Sequence, residues 1–173
     1  RDPMQCLIHG DSKGANILIR QGCAASSAPK DSSHDGQPAV TASMYDFQYC
    51  GKGPPTRDLA YFLCSSVSPK HEVEYVAFYH ERLCANLSES GIVDSDGSYG
   101  DGGRDMAAPP PTLEHLKASL ELAFCDYCRF MSGWGYWGFD IKDRVRGFLD
   151  QLDGGSDLGS EEAYDAAIRK LLW

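Results

Sequence analysis

The chain has 173 residues, 42% of them apolar, a formal charge of −9 and an isoelectric point of about 4.9. That length suits one domain of ordinary size with a real core, and the acidic balance argues against nucleic acid as a partner, because a phosphate backbone needs a basic footprint. No apolar run approaches the ~18 residues of a membrane span and no secretory signal is visible, so no membrane partner and a cytoplasmic location are expected.

The elements read in chain order as follows. Residues 4–9 (MQCLIH) and Asn16–Arg20 (NILIR) are short apolar runs that favour strands, the second by its β-branched residues. Residues 21–38 are rich in Ser, Ala, Gly, Pro and Asp and read as a long flexible loop. Ala39–Phe47 alternates as the next strand and is expected to pair with NILIR as a hairpin. After Gly51–Pro55 the pattern turns helical. Thr56 reads as the cap of a helix to about Ser66, Pro69 opens a second to about Leu87, and residues 88–111 form a Gly/Asp/Pro-rich linker. Thr112 caps a long third helix, and two more helical stretches occupy about 140–152 and 160–172. The expected fold class is therefore α+β, mainly α, a small β-hairpin lying on a helical bundle over residues 1–173.

The chemistry gathers in three segments: His9-Gly10-Asp11-Ser12-Lys13-Gly14-Ala15-Asn16, then Tyr45-Asp46-Phe47-Gln48, then Arg57-Asp58-Leu59-Ala60. If the two strands pair, Asp11, Asn16 and Asp46 converge at one end of the hairpin. Two carboxylates and an amide oxygen make a hard, oxygen-only site that suits magnesium rather than zinc. Phosphoryl transfer needs such equipment: a carboxylate for the attacking hydroxyl and metal ligands for the nucleotide phosphates. Taken singly, Asp11 also reads as a loop carboxylate making a turn, and Asp58 as a helix-cap residue.

HGDxxxxN, a strand ending in DFQ and a helix starting RDLA together resemble the aminoglycoside phosphotransferase and choline kinase superfamily. The wording DFQ…P…DLAYFL is most similar to its ecdysteroid-kinase-like branch, also called CHK kinase-like, over about residues 5–66. The resemblance implies a protein-kinase-like C-terminal lobe using ATP and magnesium to phosphorylate a hydroxyl of a small molecule. It implies that Asp11 is the catalytic base, that Asn16 and Asp46 bind magnesium and through it the nucleotide, and that Lys13 sits near the transferred phosphate. His9 and Asp58 match positions that brace the catalytic loop. Gly10, where protein kinases carry Arg, and the lack of an APE-type segment disfavour a protein kinase.

No nucleotide-covering loop or strand lysine precedes Arg1, and the glycine-rich Gly97–Gly103 has no flanking strands. The expectation is a C-terminal lobe with the N-terminal lobe absent, binding ATP weakly and transferring phosphate slowly or not at all. The rival reading is a truncated or pseudokinase lobe that acts as a non-catalytic binding module.

Other signals have plainer readings. The seven scattered cysteines, including the Cys125-Asp126-Tyr127-Cys128 pair, read as free core thiols, and Asp94–Ser98 lacks the glycine and glutamate of a calcium loop. The aromatic cluster Trp134, Tyr136, Trp137 and Phe139 reads as helix-corner packing before a substrate wall, and Asp126, Asp140 and Asp143 beside it would suit an amine.

Overall fold

The computed structural model describes residues 4–21, 40–89, 110–135 and 138–172. The loops expected at 21–38 and 88–111 lie outside these residues, apart from Gln21, which ends a strand, Ser88 and Glu89, which end a helix, and Pro110 and Pro111. Asp94–Ser98 and Gly97–Gly103 also lie outside them.

Two antiparallel ribbons are nested in the chain. The inner one pairs β2 (Ile17–Gln21) with β3 (Val40–Met44), in register from Ile17 opposite Met44 to Gln21 opposite Val40. This is the hairpin that the alternating pattern predicts. The outer one pairs β1 (Cys6–Ile8) with β4 (Gly51–Gly53), Cys6 opposite Gly53. β4 carries no apolar pattern, but its glycines admit close approach: a Cβ on Gly53 would come within 2.7 Å of Ile8 Cδ1. β1 and a 3-10 turn at Gly14–Asn16 pack on the first helix, whereas β2 and β3 are exposed beyond Ile17. It is thus β1 and the connecting loop, rather than the inner hairpin, that meet the helices.

Five α-helices follow among the described residues: α1 (Pro55–Ser66), α2 (Glu72–Glu89), α3 (Leu113–Trp134), α4 (Lys142–Asp153) and α5 (Glu161–Leu172). The core is the seam of α1 and α3. Leu59, Ala60, Leu63 and Cys64 recur at helical spacing on α1 and meet Leu116, Leu120, Ala123, Phe124, Tyr127 and Met131, which form the matching stripe of α3. Val76 and Val145 close it from α2 and α4.

Thr112 caps α3 as its sequence context suggests, its side chain accepting the His115 N–H at 3.1 Å. Thr56 does not cap α1. Pro55 is the first helical residue, where its missing N–H costs nothing. Thr56 is fully buried inside the helix, its hydroxyl 3.0 Å from that of Ser119 on α3, so each buried hydroxyl satisfies the other.

One side chain ties three helices together. The Arg144 guanidinium on α4 donates to both carboxylate oxygens of Glu72 on α2, at 2.8 and 2.7 Å, and to both of Glu121 on α3, while its Cζ lies 4.2 Å from the Phe124 ring centroid. All three charged groups are a quarter to a third exposed, so the clamp lies between a surface pair and a buried one. Arg144→Met keeps the length but strands two carboxylates. It should lower stability by about 1–3 kcal/mol, read as a drop in the urea midpoint; an unchanged midpoint would show that the clamp contributes nothing.

Candidate active site

The loop between β1 and β2 is fastened along α1. Asp58 lies in the first turn of α1, where negative charge is favoured by the helix dipole. Its Oδ2 accepts the His9 N–H at 2.7 Å and its Oδ1 the Gly10 N–H at 2.8 Å, while the Ser12 hydroxyl donates to its carbonyl oxygen at 2.6 Å. At the other end of α1, Ser66 Oγ accepts the Gly14 N–H at 2.6 Å. The loop is therefore pinned at both ends of one rigid helix.

His9 joins this loop to the strand end. Its Nδ1 accepts the Asp11 N–H at 3.3 Å, and its Nε2 lies 2.9 Å from the Tyr45 carbonyl, which can only accept. The ring is therefore the Nε2-protonated tautomer. It rests on Phe47 with centroids 4.7 Å apart. Gly10 has φ +82°, and a Cβ there would lie 2.3 Å from the Tyr49 carbonyl oxygen, so no other residue fits this turn.

Asp11 is buried and directly bonded to Asn16. The Asn16 Nδ2 donates to the Asp11 carbonyl at 3.0 Å and to its carboxylate Oδ2 at 2.9 Å, and Lys13 Nζ lies 2.8 Å from the same Oδ2. Among the described residues, Oδ1 accepts no hydrogen bond. Both amide protons of Asn16 are used on acceptors, so its Oδ1 is turned away and likewise carries no protein donor among the described residues.

Asp46 follows the end of β3. Tyr45 N–H donates to the Asn16 carbonyl at 3.1 Å and the Tyr45 hydroxyl to the Ala15 carbonyl, which holds Asp46 at the same end of the hairpin as Asn16. Asp46 is exposed and left-handed, φ 64° and ψ 60°, the one non-glycine with positive φ among the described residues. That conformation costs about 1–2 kcal/mol and is most tolerable for Asp or Asn. Its carboxylate has one weak contact, Gln48 Nε2 at 3.5 Å, and no cation pairs with it among the described residues.

The structure thus joins Asp11, Lys13 and Asn16 by direct bonds and holds Asp46 at the same end of the hairpin, with no hydrogen bond or ion pair to any of the three among the described residues. No cluster of three or more His, Cys, Asp and Glu suited to a metal occurs among the described residues. The available donors are instead the Asn16 amide oxygen and the Asp46 carboxylate. These fit magnesium, which takes few protein ligands and keeps water and phosphate oxygens for the rest.

A cleft of about 630 Å³ opens beside Asp11 and Lys13, walled by Gln48, Tyr49, Tyr61, Phe130 and Trp134 among others. Its size is in the range of small-molecule sites. Asn16 and Asp46 do not line it. The aromatic cluster of the sequence divides here. Trp134 is 69% exposed and stacks on Phe130 at the cleft, while Phe139 donates its N–H to the Cys64 carbonyl at 2.9 Å and borders a smaller cavity. Tyr136 and Trp137 lie outside the described residues. Tyr49, Tyr61 and Phe130 escaped sequence reading because an aromatic in an apolar run looks the same whether it faces core or cleft.

The acidic residues that would suit an amine are otherwise engaged. Asp126 pairs with Arg129 and Arg57, Asp140 with Lys142 and Asp143 with Arg146, and none of the three lines this cleft. Cys125 and Cys128 are half-buried against the core, and burial, then Glu121, pushes the Cys125 thiol up to about 11, far from the reactive thiolate.

A pinned loop with a buried aspartate, its asparagine partner and a strand-end aspartate is the arrangement that the resemblance to kinase-like phosphotransferases leads one to look for. Comparison with family models identifies the branch: the model of the ecdysteroid kinase-like family matches residues 1–92, more than half of the chain, and the chain belongs to that family. Membership places it among kinase-like enzymes at the level of the family. No curated protein and no solved structure matches the chain.

Asp58→Ala removes two charge-assisted hydrogen bonds and leaves the His9 and Gly10 N–H groups unpaired. It should destabilise the protein by about 3 kcal/mol. Native-state hydrogen exchange should show faster exchange at Gly10–Asn16 than in α3; uniform protection would contradict the pinning role of Asp58.

Proposed function

We propose that this chain is the catalytic-loop lobe of a phosphotransferase that moves the γ-phosphoryl group of ATP to a hydroxyl of a small molecule. The observation that carries the reading is the division of labour on the Asp11 carboxylate. Oδ2 is held by Asn16 and Lys13, and Oδ1 has no donor among the described residues, on a residue that lines an open cleft. A carboxylate fixed on one oxygen and open on the other is built to accept a hydroxyl proton from a defined direction.

The other residues take complementary roles. Asn16 orients Asp11 with its amide nitrogen, and its amide oxygen would be a donor to a cation. Asp46, strained and without a counter-charge among the described residues, offers the second oxygen donor, and backbone strain of this kind is kept where surrounding bonds enforce it. Asn16 and Asp46 would hold magnesium, which would supply positive charge to offset that of the nucleotide phosphates. Lys13 supplies positive charge next to Asp11, where the transferred phosphoryl meets the acceptor. The aromatic side of the cleft receives the acceptor's body.

Phosphate transfer from radiolabelled ATP to a panel of small alcohols tests this reading. Asp11→Asn should lower the rate by about 10²–10⁴-fold. Asp46→Asn, which still tolerates the left-handed backbone, should fold normally and lose the dependence of rate on magnesium. Near-normal activity in Asp11→Asn, or an unchanged magnesium response in Asp46→Asn, would refute the assignments.

A further inference from the structure

Tyr61 lies close to a full turn beyond Asp58 on α1, the same helix that pins the Asp11 loop through Asp58 and Ser66. It shares a wall of the cleft of about 630 Å³ with Asp11. Its ring is wedged from the α3 side, edge-on to Tyr127 at 5.1 Å and tilted against Phe130 at 5.8 Å. Phe130 in turn stacks on Trp134 at 6.0 Å, so an aromatic rail runs from beneath α1 to the open rim. Tyr61 and Asp11 are therefore held on one rigid frame and border the same cleft.

We propose that Tyr61 is an acceptor-binding residue, whose hydroxyl donates a hydrogen bond to the acceptor oxygen that gives its proton to Asp11. This rests on the phosphotransferase reading above. The acceptor oxygen has two lone pairs: one accepts from Tyr61 and the other attacks phosphorus. The bond from that oxygen to the γ-phosphorus forms, the bond to the ADP bridging oxygen breaks, the acceptor proton passes to Asp11, and Tyr61 keeps its own. The surroundings suit a group that only donates. Burial first, then the charge of Asp11 and the neighbouring phenols of Tyr127 and Tyr49, hold the Tyr61 hydroxyl above the ordinary tyrosine range, against a weaker opposing effect of Arg57.

The test uses the whole chain and naphthaleneethanol, a primary alcohol on a flat apolar body that matches the Phe130–Trp134 rail. Binding is read by tryptophan fluorescence and transfer with radiolabelled ATP. Tyr61→Phe keeps the ring contacts and should leave the unfolding midpoint and nucleotide affinity unchanged. It should weaken probe binding about 5–10-fold, the worth of one hydrogen bond, and lower the rate at saturating probe. Tyr61→Leu should weaken binding further. A Tyr61→Phe variant equal to wild type, with loss only in Tyr61→Leu, would reduce Tyr61 to a packing surface and overturn the proposal, as would a wild-type chain that does not bind the probe. Probe binding that responds to Tyr61→Phe, with no binding of magnesium and a non-hydrolysable ATP analogue by wild type, would uphold the Tyr61 contact and sink the phosphotransferase reading instead.

Discussion

The structure depends on one carboxylate holding two backbone N–H groups. Asp58, in the first turn of α1, accepts from His9 and Gly10, and the loop that carries Asp11 is placed by that pair of bonds. The rest follows by short steps. With Gly10 fixed in a turn that has no room for a Cβ, Asp11 is directed inward to Asn16. With His9 fixed, its ring carries the alignment across to the Tyr45 carbonyl and so to Asp46. Because α1 is also half of the core seam with α3, the loop inherits the rigidity of the best-packed part of the molecule. Catalytic groups gain from that arrangement, since small errors in position are costly in rate.

Polarity within the site is equally constrained. Asn16 donates both amide protons to Asp11, which leaves its carbonyl oxygen to face elsewhere. Among the described residues, Asp11 is bound on one carboxylate oxygen only. Asp46 sits in a backbone conformation that most residues avoid, with no cation beside it among the described residues. Each of these features costs stability or leaves an acceptor unused, and each is accounted for if an acceptor hydroxyl and a hard cation complete the set.

Local chemistry was legible in the sequence and long-range pairing was not. The inner hairpin could be read because Ile17, Ile19 and the alternation of Val40–Met44 are strand signals in themselves. The Thr112 cap could be read because a polar cap before an apolar periodic run is a local signature. The bracing roles of His9 and Asp58, which the family resemblance implied, match the hydrogen bonds found. β4 could not be read, because Gly51-Lys52-Gly53 becomes a strand only through Cys6, Leu7 and Ile8, more than forty residues away. Thr56 was misassigned as a cap because burial against Ser119 is a tertiary fact. Tyr61 and Phe130 were hidden for a related reason: one helix can present aromatics to a core and to a cleft at once, and periodicity does not distinguish the two. The ion pairs of Asp126, Asp140 and Asp143 with Arg129, Lys142 and Arg146 are a surface arrangement that charge alone does not reveal.

The central claim is that Asn16 and Asp46 together receive a divalent cation with a nucleotide. Paramagnetic broadening tests it most directly, with manganese in place of magnesium and a non-hydrolysable ATP analogue present. The account predicts that the Asn16 side-chain amide and the backbone amides of Asp46 and Phe47 broaden first, while those of α5 stay sharp. Broadening centred elsewhere, or none at these residues, would contradict it.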